Sequence, residues 1–168
     1  MQLPIGYDDF SELIDKKLDF VDKTLFIRDI LDEISTKVIV ITRPRRFGKT
    51  LNLSMLQYFF AQEAYGRTTQ RLFNGLKIAA LGEPYMQHQG KYPVIFLTLK
   101  EVRDHHFLIA LQKLSELMRR IYREHSYVLE GNVLSSEEKA LYHAILAKQA
   151  NQTDLEASLY NLTEYLCR

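Results

Sequence analysis

An uncharged β-branched run, Val38–Ile41, leads through Thr42 into the octapeptide RPRRFGKT (Arg43–Thr50), which opens directly onto a long apolar segment. A continuous run such as KVIVIT (Lys37–Thr42) reads as a strand covered on both faces, because a strand with one wet face would alternate. The segment Lys49–Glu63 has helical length and carries Leu51, Leu53, Met55, Leu56, Phe59 and Phe60 nearly all round, which reads as a buried helix. The octapeptide is thus a short basic loop between a strand and a helix.

Gly48-Lys49-Thr50 matches the end of G-x-x-x-x-G-K-[ST], the phosphate-binding loop. That chemistry needs backbone N–H groups at a helix start, where the helix dipole also favours an anion. It needs a lysine to reach the β/γ-phosphates as a point charge. It needs a hydroxyl for Mg²⁺, a hard cation that takes oxygen ligands and keeps several waters. Gly48, Lys49 and Thr50 supply close approach, charge and hydroxyl in that order, with Thr50 the metal-facing residue. The generic pattern is broken at its first glycine, which here is Arg43, and Pro44 removes one backbone donor. Arg43, Arg45 and Arg46 add positive charge beside the expected phosphates. The plain alternative is an ordinary basic turn before a core helix.

The remaining pattern is strand and helix in alternation. Residues 10–18 read as a short helix or turn. Asp22–Ile34 reads as a helix, with Asp22 as N-cap and Ile27, Ile30, Leu31 and Ile34 on one face. TTQRLF reads as a short helix ending at Asn74-Gly75, followed by a polar loop over 82–92. YPVIFLTLK (Tyr92–Lys100) reads as a second strand, entered through Pro93. Asp104 is placed to cap a helix reaching about His125, with Phe107, Leu111, Leu114, Met118 and Ile121 in a stripe. Ser135 with Glu138, and Thr153 with Glu156, form capping-box patterns ahead of two more helices. The expected class is α/β, with a small parallel sheet and a largely helical C-terminal portion. No domain boundary is evident in the sequence.

Apolar residues make up 46% of the 168 and charged residues 26%, with seven glycines and four prolines, which excludes a disordered or collagen-like chain. Lys and Arg number 22 against 21 Asp and Glu, so bulk charge gives no argument for nucleic acid or an acidic membrane. The start MQLPIGYDDF lacks a basic and an apolar leader region, and VIVI is far too short to span a bilayer. With Cys167 as the single cysteine, no intramolecular disulfide can form, and the expected setting is a reducing cytoplasm with no membrane partner.

Several ordered blocks converge on one family. FVDKTLFI (Phe20–Ile27), VIVIT, RPRRFGKTLNLSMLQYFF (Arg43–Phe60), LFNGLKI (Leu72–Ile78) and GKYPVIFLTLK (Gly90–Lys100), with the opening LPIGYDDF, resemble the AAA-ATPase-like family of bacterial and archaeal proteins. The resemblance covers nearly the whole chain and is strongest over residues 3–100. RPRRFGKT is that family's own form of the loop, so Arg43 in the first glycine's place fits it. The resemblance implies a P-loop NTPase domain that binds ATP with Mg²⁺, usually followed by a nuclease-like domain of the PD-(D/E)XK type. By matching positions it assigns phosphate and metal contacts to Gly48, Lys49 and Thr50 and flanking charge to Arg43 and Arg46. Pro44, Arg45 and Phe47 complete the loop. It also sets Asp22, Lys23 and Thr24 toward the adenine side, against the simpler reading of Asp22 as a helix cap.

Hydrolysis needs an acidic pair at the end of a further strand. The run Thr98-Leu99-Lys100 has none, and Glu101 lacks an apolar–acid–acid context. In the family that strand follows a helix like the last one here. The expectation is therefore that residues 1–168 are the N-terminal part of a single ATPase-like domain, cut before its hydrolytic strand. Nucleic acid, through the full-length protein, and oligomerisation are compatible with that resemblance. The competing reading is a non-enzymatic nucleic-acid or protein-interaction domain that uses the basic loop. His88, His105, His106, His125 and His143 show no spacing that gathers four zinc ligands. MRRIYREH (Met118–His125) reads as a solvated helical face. No N-K-x-D guanine-reading motif occurs, which favours adenine over guanine.

Overall fold

The structure is a computed structural model and describes residues 4, 6–33, 35–42, 44, 47–64 and 66–168, with the backbone alone for Glu63 and Arg67. The chain divides into two compact units, one ending at Val94 and the other beginning at Ile95. Each has its own apolar core.

In the first unit, α1 (Phe10–Asp15) begins where Asp9 turns its carboxylate onto the amides of Ser11 and Glu12, at 2.8 and 3.2 Å. That is how an acidic cap satisfies donors that the helix leaves over. Helix α2 (Leu25–Asp32) follows and buries Ile27. Helix α3 (Lys49–Phe60) buries Met55, Tyr58 and Phe59, whereas Leu53 is 45% exposed, so this helix is not enclosed all round. Strands β1 (Glu63–Ala64) and β2 (Arg67–Thr68) make a minimal hairpin, Gln70–Phe73 a 3-10 turn, and Lys77–Ala80 the short helix α4. The core is aromatic: Phe10 stacks on Phe73 with ring centres 5.3 Å apart, and Phe59 meets Phe73 edge-on at 5.1 Å. Such pairs add about 0.5–1.5 kcal/mol each beyond area burial.

The second unit is built on α5 (Phe107–Glu124), α6 (Ser136–Leu146) and α7 (Gln152–Cys167). Leu117, Ile121, Tyr122, Tyr142, Ile145 and Leu162 form its centre. Two buried tyrosines join the helices through backbone carbonyls. Tyr142 Oη donates to the Tyr122 carbonyl at 2.6 Å, and Tyr122 Oη donates to the Ser158 carbonyl at 2.7 Å. Burial holds both phenols well above the ordinary tyrosine range, so they act as donors at any physiological pH. Among the described residues no helix is long and apolar enough to cross a membrane.

Among the described residues the parallel α/β sheet expected from KVIVIT and YPVIFLTLK is not present, and that fold class is corrected to a helical one. Among the described residues, strand pairing consists of β1 against β2, antiparallel with Glu63 opposite Thr68, and one isolated parallel bridge between Ala61 and Tyr92. A β-branched run reports a tendency to sit between layers; a strand exists only where a neighbour takes its amides and carbonyls. The described backbone offers Val38–Ile41 no such neighbour, and Val38 and Val40 are 73% and 75% exposed. The expected cover on both faces of that run is likewise absent.

Helix boundaries differ from the sequence reading in instructive places. The Ser135–Glu138 capping box forms as expected, with both reciprocal hydrogen bonds. The second box falls two residues earlier than expected, on Asn151 and Asp154 instead of Thr153 and Glu156. Both pairs have capping spacing. Helix α6 ends at Leu146, and Lys148 turns back at φ +58°, so the chain enters α7 early enough for Asn151 to be the extended residue at its mouth. Asp104 lies ahead of α5, accepting from the His106 amide at 3.1 Å and pairing with Lys113 at 2.9 Å.

Candidate phosphate-binding loop

The loop before α3 is fixed at its far end by the way α3 is held. The Phe10 amide donates to Ser54 Oγ at 3.0 Å, and Tyr58 Oη donates to Asp9 Oδ2 at 3.0 Å, so α1 grips α3 on one side. Phe59 anchors the other side in the aromatic core. The helix start therefore cannot swing freely.

At that start Gly48 adopts φ +73° and ψ +22°. This left-handed conformation is open to glycine and costs other residues roughly 1–2 kcal/mol. Among the described residues no atom stands within 4 Å of where a Cβ would project, so the backbone conformation itself favours glycine here. The α3 ladder opens with the Asn52 amide donating to the Gly48 carbonyl at 2.9 Å, which leaves the preceding amides outside the ladder. No side chain caps the helix. Lys49 is the first helical residue, and its Nζ turns back to donate to the Pro44 carbonyl at 2.9 Å. The segment Pro44–Lys49 is thus closed on itself by its own lysine. Phe47, on the loop, is 60% exposed, and Thr50, half-buried, occupies the second position of the helix.

Of the residues that the sequence nominates, Pro44, Phe47, Gly48, Lys49 and Thr50 come together at one helix start. Arg43, Arg45 and Arg46 lie outside the described residues. The sequence reading treated Pro44 as a lost amide donor and missed its carbonyl as the partner of Lys49. No motif flags that role, because any residue brings a carbonyl and only the chain path decides where it points.

Asp22 is not the N-cap residue of α2. Thr24 is the residue at the α2 start, and its side chain makes no cap. The Asp22 carboxylate accepts from Thr24 N at 2.8 Å, Thr24 Oγ1 at 2.7 Å and Lys77 N at 2.8 Å. Thr24 Oγ1 in turn accepts from Ile78 N at 3.1 Å. The DKT triplet thereby ties the start of α2 to the start of α4, with two backbone amides and one hydroxyl donating to the carboxylate. Burial alone would push the Asp22 carboxyl up, but the hydrogen bonds from Thr24 and Lys77 outweigh it and hold it below the usual carboxylate range.

Candidate acids elsewhere are engaged or isolated. Glu101 is exposed, with Arg120 at 4.0 Å, and burial pushes Glu124 up against the opposing pull of Arg120. Among the described residues no group of three His, Cys, Asp or Glu could hold a metal ion.

Comparison with known proteins places the molecule first in a broad class, ATPase-like proteins with a nucleotide-binding theme. The chain belongs to the AAA-ATPase-like family, described as Predicted AAA-ATPase, whose family model matches residues 4–165. No curated protein and no solved structure matches it significantly.

Proposed function

We propose that this chain binds a nucleoside triphosphate, ATP, together with Mg²⁺, through the loop Arg43–Thr50. The observation that carries the reading is the closure of the loop by Lys49 onto the Pro44 carbonyl at the mouth of α3. That contact keeps an ammonium beside a helix N-terminus, where dipole and amides already favour an anion. Gly48 supplies the turn, Lys49 the charge facing the β/γ-phosphates, and Thr50 a hydroxyl for the metal. Arg43, Arg45 and Arg46 add three positive charges to the loop's sequence, which suits a ligand with several negative charges. Among the described residues no acidic pair stands at a strand end, so the reading for residues 1–168 is of nucleotide binding and does not include hydrolysis.

Titration with Mg-ATP by calorimetry, on wild type and Lys49→Ala, tests it. A charge-assisted contact is worth about 1.5–3 kcal/mol, and about 1.4 kcal/mol is tenfold in affinity, so the variant should bind at least tenfold more weakly. Equal affinity in the two proteins removes the reading.

A further inference from the structure

We draw no further inference here: the strongest candidate, the open cleft of about 360 Å³ between α2 and the Val38–Val40 run, sets apolar side chains beside Asp29 and Glu33, and nothing in the structure shows what covers it.

Discussion

Removing the Asp22 carboxylate should uncouple α4 from α2. Three donors converge on it, the amide and hydroxyl of Thr24 and the amide of Lys77, all within 2.8 Å. Hydrogen bonds to a charged group are worth about 1.5–3 kcal/mol each, but such values do not add, and water reaches the exposed Lys77 amide. Thr24 is fully buried, so its hydroxyl loses an acceptor that water cannot replace. The expected cost of Asp22→Ala is about 2–3 kcal/mol, and of Asp22→Asn, which keeps an acceptor oxygen, about half of that. Hydrogen exchange reads both local and global effects. The amides of Lys77 and Ile78 should lose protection first, and those of Ile27 and Phe59 should report the opening of the whole unit. The pH dependence has a fixed sign. Because the folded carboxyl lies below its ordinary value, the contribution is complete above the unfolded pKa of about 3.9 and disappears as pH falls through the folded one. Wild type should therefore lose more stability than Asp22→Asn on acidification below about pH 5. The reasoning fails if Lys77 and Ile78 stay as protected in Asp22→Ala as in wild type while core opening moves by less than about 0.5 kcal/mol.

Asn151→Ala should cost α7 about 1 kcal/mol and Thr153→Ala almost nothing, as judged by exchange in the first turn; the reverse order would restore the cap to Thr153. Tyr142→Phe removes the donor to the Tyr122 carbonyl and should destabilise the second unit by about 1–2 kcal/mol in urea unfolding followed by amide signals of α5; no shift would mean the bond at 2.6 Å is made good by water. Val38→Lys should leave exchange in the first unit unchanged and reduce self-association in sedimentation, since the side chain stands in solvent; a loss of several kcal/mol would show that the run is buried after all.

The helices were legible because their signals are local. Ser135 with Glu138 needs only its own neighbours to form a cap, and it sits where the sequence placed it; the cap by Asp9 on α1 is equally local but was not read from the sequence. Of the stripe expected on α5, Leu111, Leu114, Met118 and Ile121 close on their own unit, whereas Phe107 is 65% exposed and Leu117, outside the expected stripe, is buried. The sheet was not legible for the opposite reason. VIVIT advertises a strand in composition alone, and pairing is a property of two segments. A sequence window cannot contain the partner, so the run is correctly read as apolar and wrongly read as paired. Thr153 failed in a third way: two capping patterns two residues apart compete, and the end of α6 decides between them.

The loop shows how far a motif reaches and where the chain path takes over. Gly48 is recognisable because a left-handed residue at a helix start is a backbone demand that glycine meets. Lys49 is recognisable by residue type, but a lysine at a helix start could equally extend into solvent. Its return to the Pro44 carbonyl is a contact that residue type alone does not announce. Proline weakens the loop as an amide donor and strengthens it as a scaffold, since a fixed φ narrows the directions its carbonyl can take. The hydrogen bond to the Pro44 carbonyl gives the Lys49 ammonium a direction within the loop. On the proposed reading, proline in a phosphate-binding loop therefore exchanges one amide donor for a positioned charge, and charge falls off more slowly with distance than a hydrogen bond does.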